Sequence, residues 1–167
     1  MSDCPEGEYL HPTRLDIAMP IRQYLIGVLN QTLACTIDLR SQIKQVAWNI
    51  KGKDFTTMRA LCLAIAVELD QHAEALAERV TVLGGIAMAT VRSAATHSTL
   101  QEYPLAYMSH EAHVLQMVER LGHYANAVRH TITLTADVED AGTTALYTDI
   151  SRVTDKQLAA IEAYLQP

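Results

Sequence analysis

Apolar residues set the rhythm of this chain. After the first twenty residues they recur at Ile21, Leu25, Val28, Leu29, Leu33, Ile37, Ile43 and Val46, mostly in steps of three and four. That spacing gathers them on one face of a helix, predicted over about residues 20–50. Lys51-Gly52-Lys53 interrupts the pattern, and Asp54 is a residue type suited to cap the next helix. A second run, over about residues 55–83, is apolar at Leu61, Ile65, Val67, Leu69, Leu76, Val80 and Leu83. Gly84-Gly85 ends it, because glycine adopts a left-handed cap at least cost. Residues 86–109 form a long connection containing Pro104, with a short helix expected near 105–108. A third helix is predicted over about 110–136 and a fourth over about 143–165, with the acidic turn DVEDAG between them.

Four long helices with one long link predict an all-α protein. The single crossover, between the second and third helices, points to a ferritin-like four-helix bundle with a short extra helix in the link, rather than an up-down bundle. The polar residues 1–19 read as an irregular N-terminal arm. Residues 20–167 then form the bundle domain. No solenoid period or low-complexity tract is present.

Composition narrows the picture. The chain has 167 residues, 49% of them hydrophobic, enough for one domain with its own core. Its formal net charge of −6 gives no bulk attraction for nucleic acid. The three cysteines, Cys4, Cys35 and Cys62, make no C-x-x-C and read as reduced thiols. No apolar run approaches the ~20 residues of a membrane span, and the first residues lack the basic-then-apolar order of a signal peptide. A cytoplasmic location is expected.

The second helix carries the densest chemistry. At about 100° per residue, Arg59, Leu63, Asp70, Glu74 and Glu78 fall within an arc of about 100°. Three carboxylates therefore share one face. Like charges at four-residue spacing repel, so water or a cation must compensate them. The arrangement reads either as a solvated acidic stripe or as a platform for a hard cation such as iron or magnesium. A di-iron bundle of the usual kind needs Glu-x-x-His on two helices, and the chain has none: Glu68 and Glu119 each precede a His by four residues.

AWNIKGKDF at 47–55, AERVTVLGG at 77–85 and EYPL at 102–105 resemble landmarks of the Dps family, small ferritin-like proteins of starved bacterial cells. HPTRLDI at 11–17, the DL-x4-KQ run at 38–45 and SRVTDK at 151–156 extend the resemblance over nearly the whole chain. It implies a twelve-subunit hollow shell that takes up Fe(II), oxidises it with peroxide or oxygen, and stores it under stress. It also implies a ferroxidase site shared across a two-fold interface, with two His and an Asp from one subunit and an Asp and a Glu from the other. Carried over by position, most of that ligand set is missing. Ala47 and Arg59 stand where the family has His, and Leu63 where it has Asp. Glu74 replaces the partner-side Asp, and Glu78 matches. Trp48 corresponds to the family's Trp beside the site. Arg59 is expected to bridge to Glu74 or Glu78 of the two-fold partner, its planar fork suiting a carboxylate. Asp70 either adds a third carboxylate to a relocated metal site or is simply hydrated.

His110 and His113, three apart on a helix, could hold zinc or copper, or be ordinary surface residues. Asp137, Glu139 and Asp140 read as a helix-entry turn, and the family resemblance makes them candidates for the acidic lining of a three-fold pore. Family members usually bind DNA through a Lys-rich tail. Residues 1–22 here hold Asp3, Glu6, Glu8 and Asp16 against Arg14 and Arg22, with no Lys, so no duplex DNA binding is expected at physiological salt. The functional expectation is an iron-storing shell protein with a degenerate, weak or inactive ferroxidase site. The alternative is a non-catalytic shell component, co-assembling with a ferroxidase-competent paralogue.

Overall fold

A computed structural model describes residues 10–166. Its helices are α1 (Met19–Asn49), α2 (Phe55–Val82), α3 (Val91–His97), α4 (His110–Asp137) and α5 (Ala141–Glu162), closed by a 3₁₀ turn at Ala163–Leu165. The described residues contain no strand. The all-α bundle is as predicted, and the long helices begin and end within a few residues of their expected bounds. Periodicity explains this agreement. The apolar faces of α1 (Leu25, Leu29, Leu33, Leu39, Ile43) and α2 (Met58, Ile65, Leu69, Leu76) are all fully buried. Each such side chain contributes roughly 1.5–3 kcal/mol through burial.

α1 pairs with α2 and α4 with α5, the two pairs meeting along α1–α4 and α2–α5. Two buried tyrosines tie the centre together. Tyr124 on α4 shares a 2.8 Å hydrogen bond with Thr36 of α1, and Tyr147 on α5 shares one of 2.8 Å with Thr32. Burial raises the pKa of both phenols, so both keep their protons.

α2 ends as the Gly-Gly pair predicts. Gly84 has φ +89°, its N–H donates to Thr81 O (2.9 Å), and Gly85 N–H donates to Val80 O (2.9 Å), a doubly bonded Schellman cap. A side chain at Gly84 would collide with the His11 carbonyl, whose N–H is bonded to Gly84 O at 2.7 Å. Residues 10–18 are irregular and run past this cap, pinned also by Arg22, which donates to Ile17 O and Leu83 O. The rest of the expected N-terminal arm, residues 1–9, lies outside the described residues.

Two local expectations are corrected. The short helix of the crossover is α3, at Val91–His97, not near residues 105–108, which are not helical. Thr90 caps it by accepting from Ser93 N–H at 3.2 Å. The chain must then travel back along the bundle, and an extended residue covers about 3.3 Å against 1.5 Å in a helix. Residues 98–108 are accordingly non-helical. Asp54 makes no side-chain cap either. Its backbone is left-handed, φ +61°, which leaves only its carbonyl to accept from Met58 N–H (3.1 Å).

Candidate metal centre and subunit face

The site begins with the orientation of α2. One stripe of this helix, Phe55, Arg59, Leu63, Val67, Asp70, Glu74 and Glu78, is exposed along its whole length. The opposite stripe, from Met58 through Cys62, Ile65, Leu69 and Leu76 to Val80, is buried. The exposed stripe has two chemical halves. Its N-terminal half is apolar around Arg59, with Phe55 at 43%, Leu63 at 37% and Val67 at 56% exposure, and Trp48 at the end of α1 is 60% exposed. Its C-terminal half is acidic. Apolar side chains exposed together on one face mark a surface that another molecule covers.

Ala47 lies inward of this face, 2% exposed in the last turn of α1. A methyl group offers no lone pair to a metal, and Leu63 offers none either. Among the described residues, Arg59, Glu74 and Glu78 take part in no ion pair. Asp70 does: its carboxylate pairs with Arg40 of α1. That partner was invisible to sequence reasoning, because Arg40 and Asp70 are thirty residues apart and meet only through α1–α2 packing. Glu74 and Glu78 thus lack the partner that Asp70 has among the described residues. Among the described residues, no three His, Cys, Asp or Glu side chains of one chain converge as a metal-binding group. Among the described residues Asp140 is the single buried carboxylate, so none of them forms a carboxylate-bridged pair at the bundle centre.

Asp140 has an internal role. It is 7% exposed and sits at the N-cap of α5, accepting from Gly142 N–H (3.1 Å) and Thr143 N–H (3.3 Å). Arg79, next to Glu78, grips both its oxygens at 2.7 Å. Burial alone would raise this carboxyl's pKa. Hydrogen bonds from Thr143 and Arg79 outweigh it and hold the group below the ordinary carboxylate range. Asp137 and Glu139 are exposed beside it.

His110 and His113 do not form a pair. His113 points inward to the Tyr103 hydroxyl at 2.5 Å, while His110 Nδ1 lies 3.3 Å from Lys51 O. Around them is a buried polar network that no sequence pattern announced. Arg120, 3% exposed, donates to Gln42 Oε1 (2.7 Å), Gln116 O (3.2 Å) and Glu102 O (2.8 Å), and its guanidinium lies 5.4 Å from the Tyr103 ring centroid. Gln42 and Ser98 both donate to Asp38. These bonds fasten the extended crossover to α1 and α4. His72, on the buried face of α2, has an Nδ1 with no hydrogen-bond partner among the described residues. Burial, partly opposed by Glu68, lowers its pKa.

The ferritin-like domain family matches residues 26–167. A DNA protection during starvation protein of Agrobacterium fabrum is 34% identical over 156 residues, covering 93% of this chain and 96% of that one. In fold, the chain is similar to DpsC from Streptomyces coelicolor, with a TM-score of 0.92 and 23% identity over 100% of this chain and 97% of that one. It is similar also to a Dps protein from Vibrio cholerae O1, described as a member of a broad superfamily of ferritin-like diiron-carboxylate proteins. That TM-score is 0.83, with 22% identity over 93% of this chain and 100% of that one.

Proposed function

Since the chain belongs to the Dps family of ferritin-like proteins, we propose that it is a subunit of an iron-sequestering, stress-protective shell whose intersubunit ferroxidase site has degenerated. The observation that carries this reading is the exposed stripe of α2, where Arg59 sits among apolar side chains and Glu74 and Glu78 follow in the acidic half with no ion pair among the described residues. Iron is the cargo. Its uptake is assigned to exposed carboxylates such as Asp137 and Glu139 at three-fold pores, with Asp140 retained inside as a structural cap. The shell is a homo-oligomer, a dodecamer by family analogy, in the cytoplasm. No helix among the described residues is long and apolar enough to cross a membrane.

Two copies meet through α2 about a two-fold axis, an isologous contact in which each surface faces its own copy. If the helices run antiparallel with Val67 near the axis, Arg59 lies eight residues before the centre, and Glu74 and Glu78 lie seven and eleven after it. Arg59 then faces Glu74 and Glu78 of the partner subunit. A guanidinium stands where the family places a metal-binding imidazole, and it neutralises the carboxylates permanently. Trp48, Phe55 and Leu63 are covered by the same contact. Fe(II) arriving there meets two carboxylates already paired with a cation and a methyl group where an imidazole would bind.

The test is Fe(II) oxidation by the purified, metal-free protein, followed as Fe(III) absorbance with oxygen and then with peroxide against a protein-free control. A rate equal to the control is expected. A rate well above it would show a working centre and overturn the degenerate reading. Restoring the ligands with Ala47→His, Arg59→His and Leu63→Asp should create rapid oxidation in an intact assembly. The presence of Ala47, Arg59 and Leu63 at the family's ligand positions also favours a second reading, a structural subunit that co-assembles with a ferroxidase-competent paralogue. Co-purification of a second Dps-type chain with the tagged protein would identify it.

A further inference from the structure

The crossover carries a buried phenol that faces a base. Tyr103 is 5% exposed, and its hydroxyl lies 2.5 Å from Nδ1 of His113, itself 4% exposed. The two rings are nearly parallel, 11° apart, with centroids separated by 6.2 Å. Burial, reinforced by His110, lowers the pKa of His113. The imidazole is therefore neutral near pH 7, and Nδ1 is free to accept. Burial also pushes the Tyr103 phenol up to about 12, against the opposing charge of Arg120 and with a smaller push from Cys62. At rest the proton belongs to the phenol.

Removing an electron reverses that preference, because an oxidised phenol is a strong acid while the imidazole beside it remains a base. We infer that Tyr103 and His113 form a proton-coupled one-electron donor serving oxidants of the hydroxyl-radical class. The oxidant takes one electron from the Tyr103 ring and becomes hydroxide. The phenolic O–H bond breaks, and its proton forms a new N–H bond at His113 Nδ1. The products within the protein are a neutral phenoxyl radical and an imidazolium. A diffusible reductant of the ascorbate class returns one electron to the ring, and the proton moves back from Nδ1.

The two tyrosines at the bundle centre lack this pairing. The hydroxyls of Tyr124 and Tyr147 meet threonine hydroxyls, which do not take up a proton at ordinary pH. Tyr107 is fully exposed. The surroundings of Tyr103 set its selectivity. Arg120 lies over the ring, and its fixed positive charge makes electron loss harder, so only strong oxidants succeed. Cys62 and Met117 are in sulfur–sulfur contact at 3.6 Å, and Cys62 is within electrostatic reach of the phenol. Trp48, 60% exposed, lines the same cavity of about 500 Å³ as Tyr103. None of this depends on whether the α2 face oxidises iron.

The experiment uses the metal-free full-length protein, with photogenerated ruthenium(III) tris-bipyridine as a one-electron oxidant and electron paramagnetic resonance as the readout. Wild type should give a long-lived tyrosyl signal. Tyr103→Phe should lose most of it, whereas Tyr107→Phe should keep it. His113→Gln retains a hydrogen-bond acceptor but no base, so its radical should form more slowly and decay faster. High-field spectra of the wild type decide the matter even if Tyr103→Phe fails to fold, because a phenoxyl bonded to an imidazolium has a lowered gx value. A long-lived signal that survives Tyr103→Phe, a wild-type gx typical of an unbonded phenoxyl, or no tyrosyl signal at all would overturn the assignment.

Discussion

Glu139 holds a backbone conformation that its own side chain resists. Its φ is +60°, the left-handed region, at the C-terminal cap of α4, where its N–H donates to Ala136 O and Asp140 N–H donates to Thr135 O. Glycine is the usual occupant of such a position. Glu139→Gly should therefore stabilise the protein by about 0.5–1 kcal/mol in chemical denaturation, the relief of strain exceeding the added freedom of the unfolded chain. The same substitution should slow iron uptake if this carboxylate lines a pore, which separates stability from function in one variant. His72 sets a pH dependence. Its folded pKa lies below the ordinary value of 6.5 because of burial, so below that pH the unfolded chain binds more protons than the folded one. Stability is then full above about pH 6.5 and falls as acidification proceeds toward the folded pKa. Thermal melts between pH 7.5 and pH 5 should show this slope, and His72→Gln should flatten it. An unchanged slope would assign the acid sensitivity to other groups.

At the scale of elements, the joint between α4 and α5 illustrates what one residue can do in two roles. Asp140 closes the cap of α4 through its N–H and starts α5 through its carboxylate, while Arg79 locks both to the end of α2. Asp140→Ala removes the cap and leaves a partly buried guanidinium unpaired. A loss of about 3–5 kcal/mol in unfolding free energy is expected, with Asp140→Asn losing less because the cap survives. The sequence reveals such joints unevenly. The long helices were legible because Leu25, Leu29, Leu33 and their counterparts repeat at helical spacing, and Gly84 because a left-handed cap needs glycine. The short helix was misplaced because residues 105–108 look helical by composition, while the crossover's length demand and the Arg120 bond to Glu102 O hold that region extended. The proposed ligand positions Ala47, Arg59 and Leu63 rest on motif correspondence alone. Asp70 was read without its partner, because the Arg40 contact exists only once α1 and α2 are packed.

At the scale of the whole molecule, one surface has to explain both the exposed hydrophobic residues and the unpaired charges. Trp48, Phe55, Leu63 and Val67 would be costly to leave in water, and Arg59, Glu74 and Glu78 make no ion pair among the described residues. An antiparallel α2–α2 contact resolves both needs, because two-fold symmetry brings the cation of one copy to the acids of the other twice per interface. The charges inside such a contact are desolvated, so a mismatch there costs more than on an open surface, about 2–5 kcal/mol for each pair broken. Arg59→Glu should therefore shift the assembly toward smaller species in light scattering or native mass spectrometry, while circular dichroism shows the helices intact. Glu74→Arg with Glu78→Arg should do the same. Combining all three restores opposite charges across the axis and should recover the native mass. Rescue by the charge swap is the outcome that a merely destabilised fold cannot produce. An Arg59→Glu protein that assembles normally would place this stripe outside the two-fold contact, leaving its exposed carboxylates free for cargo or cations.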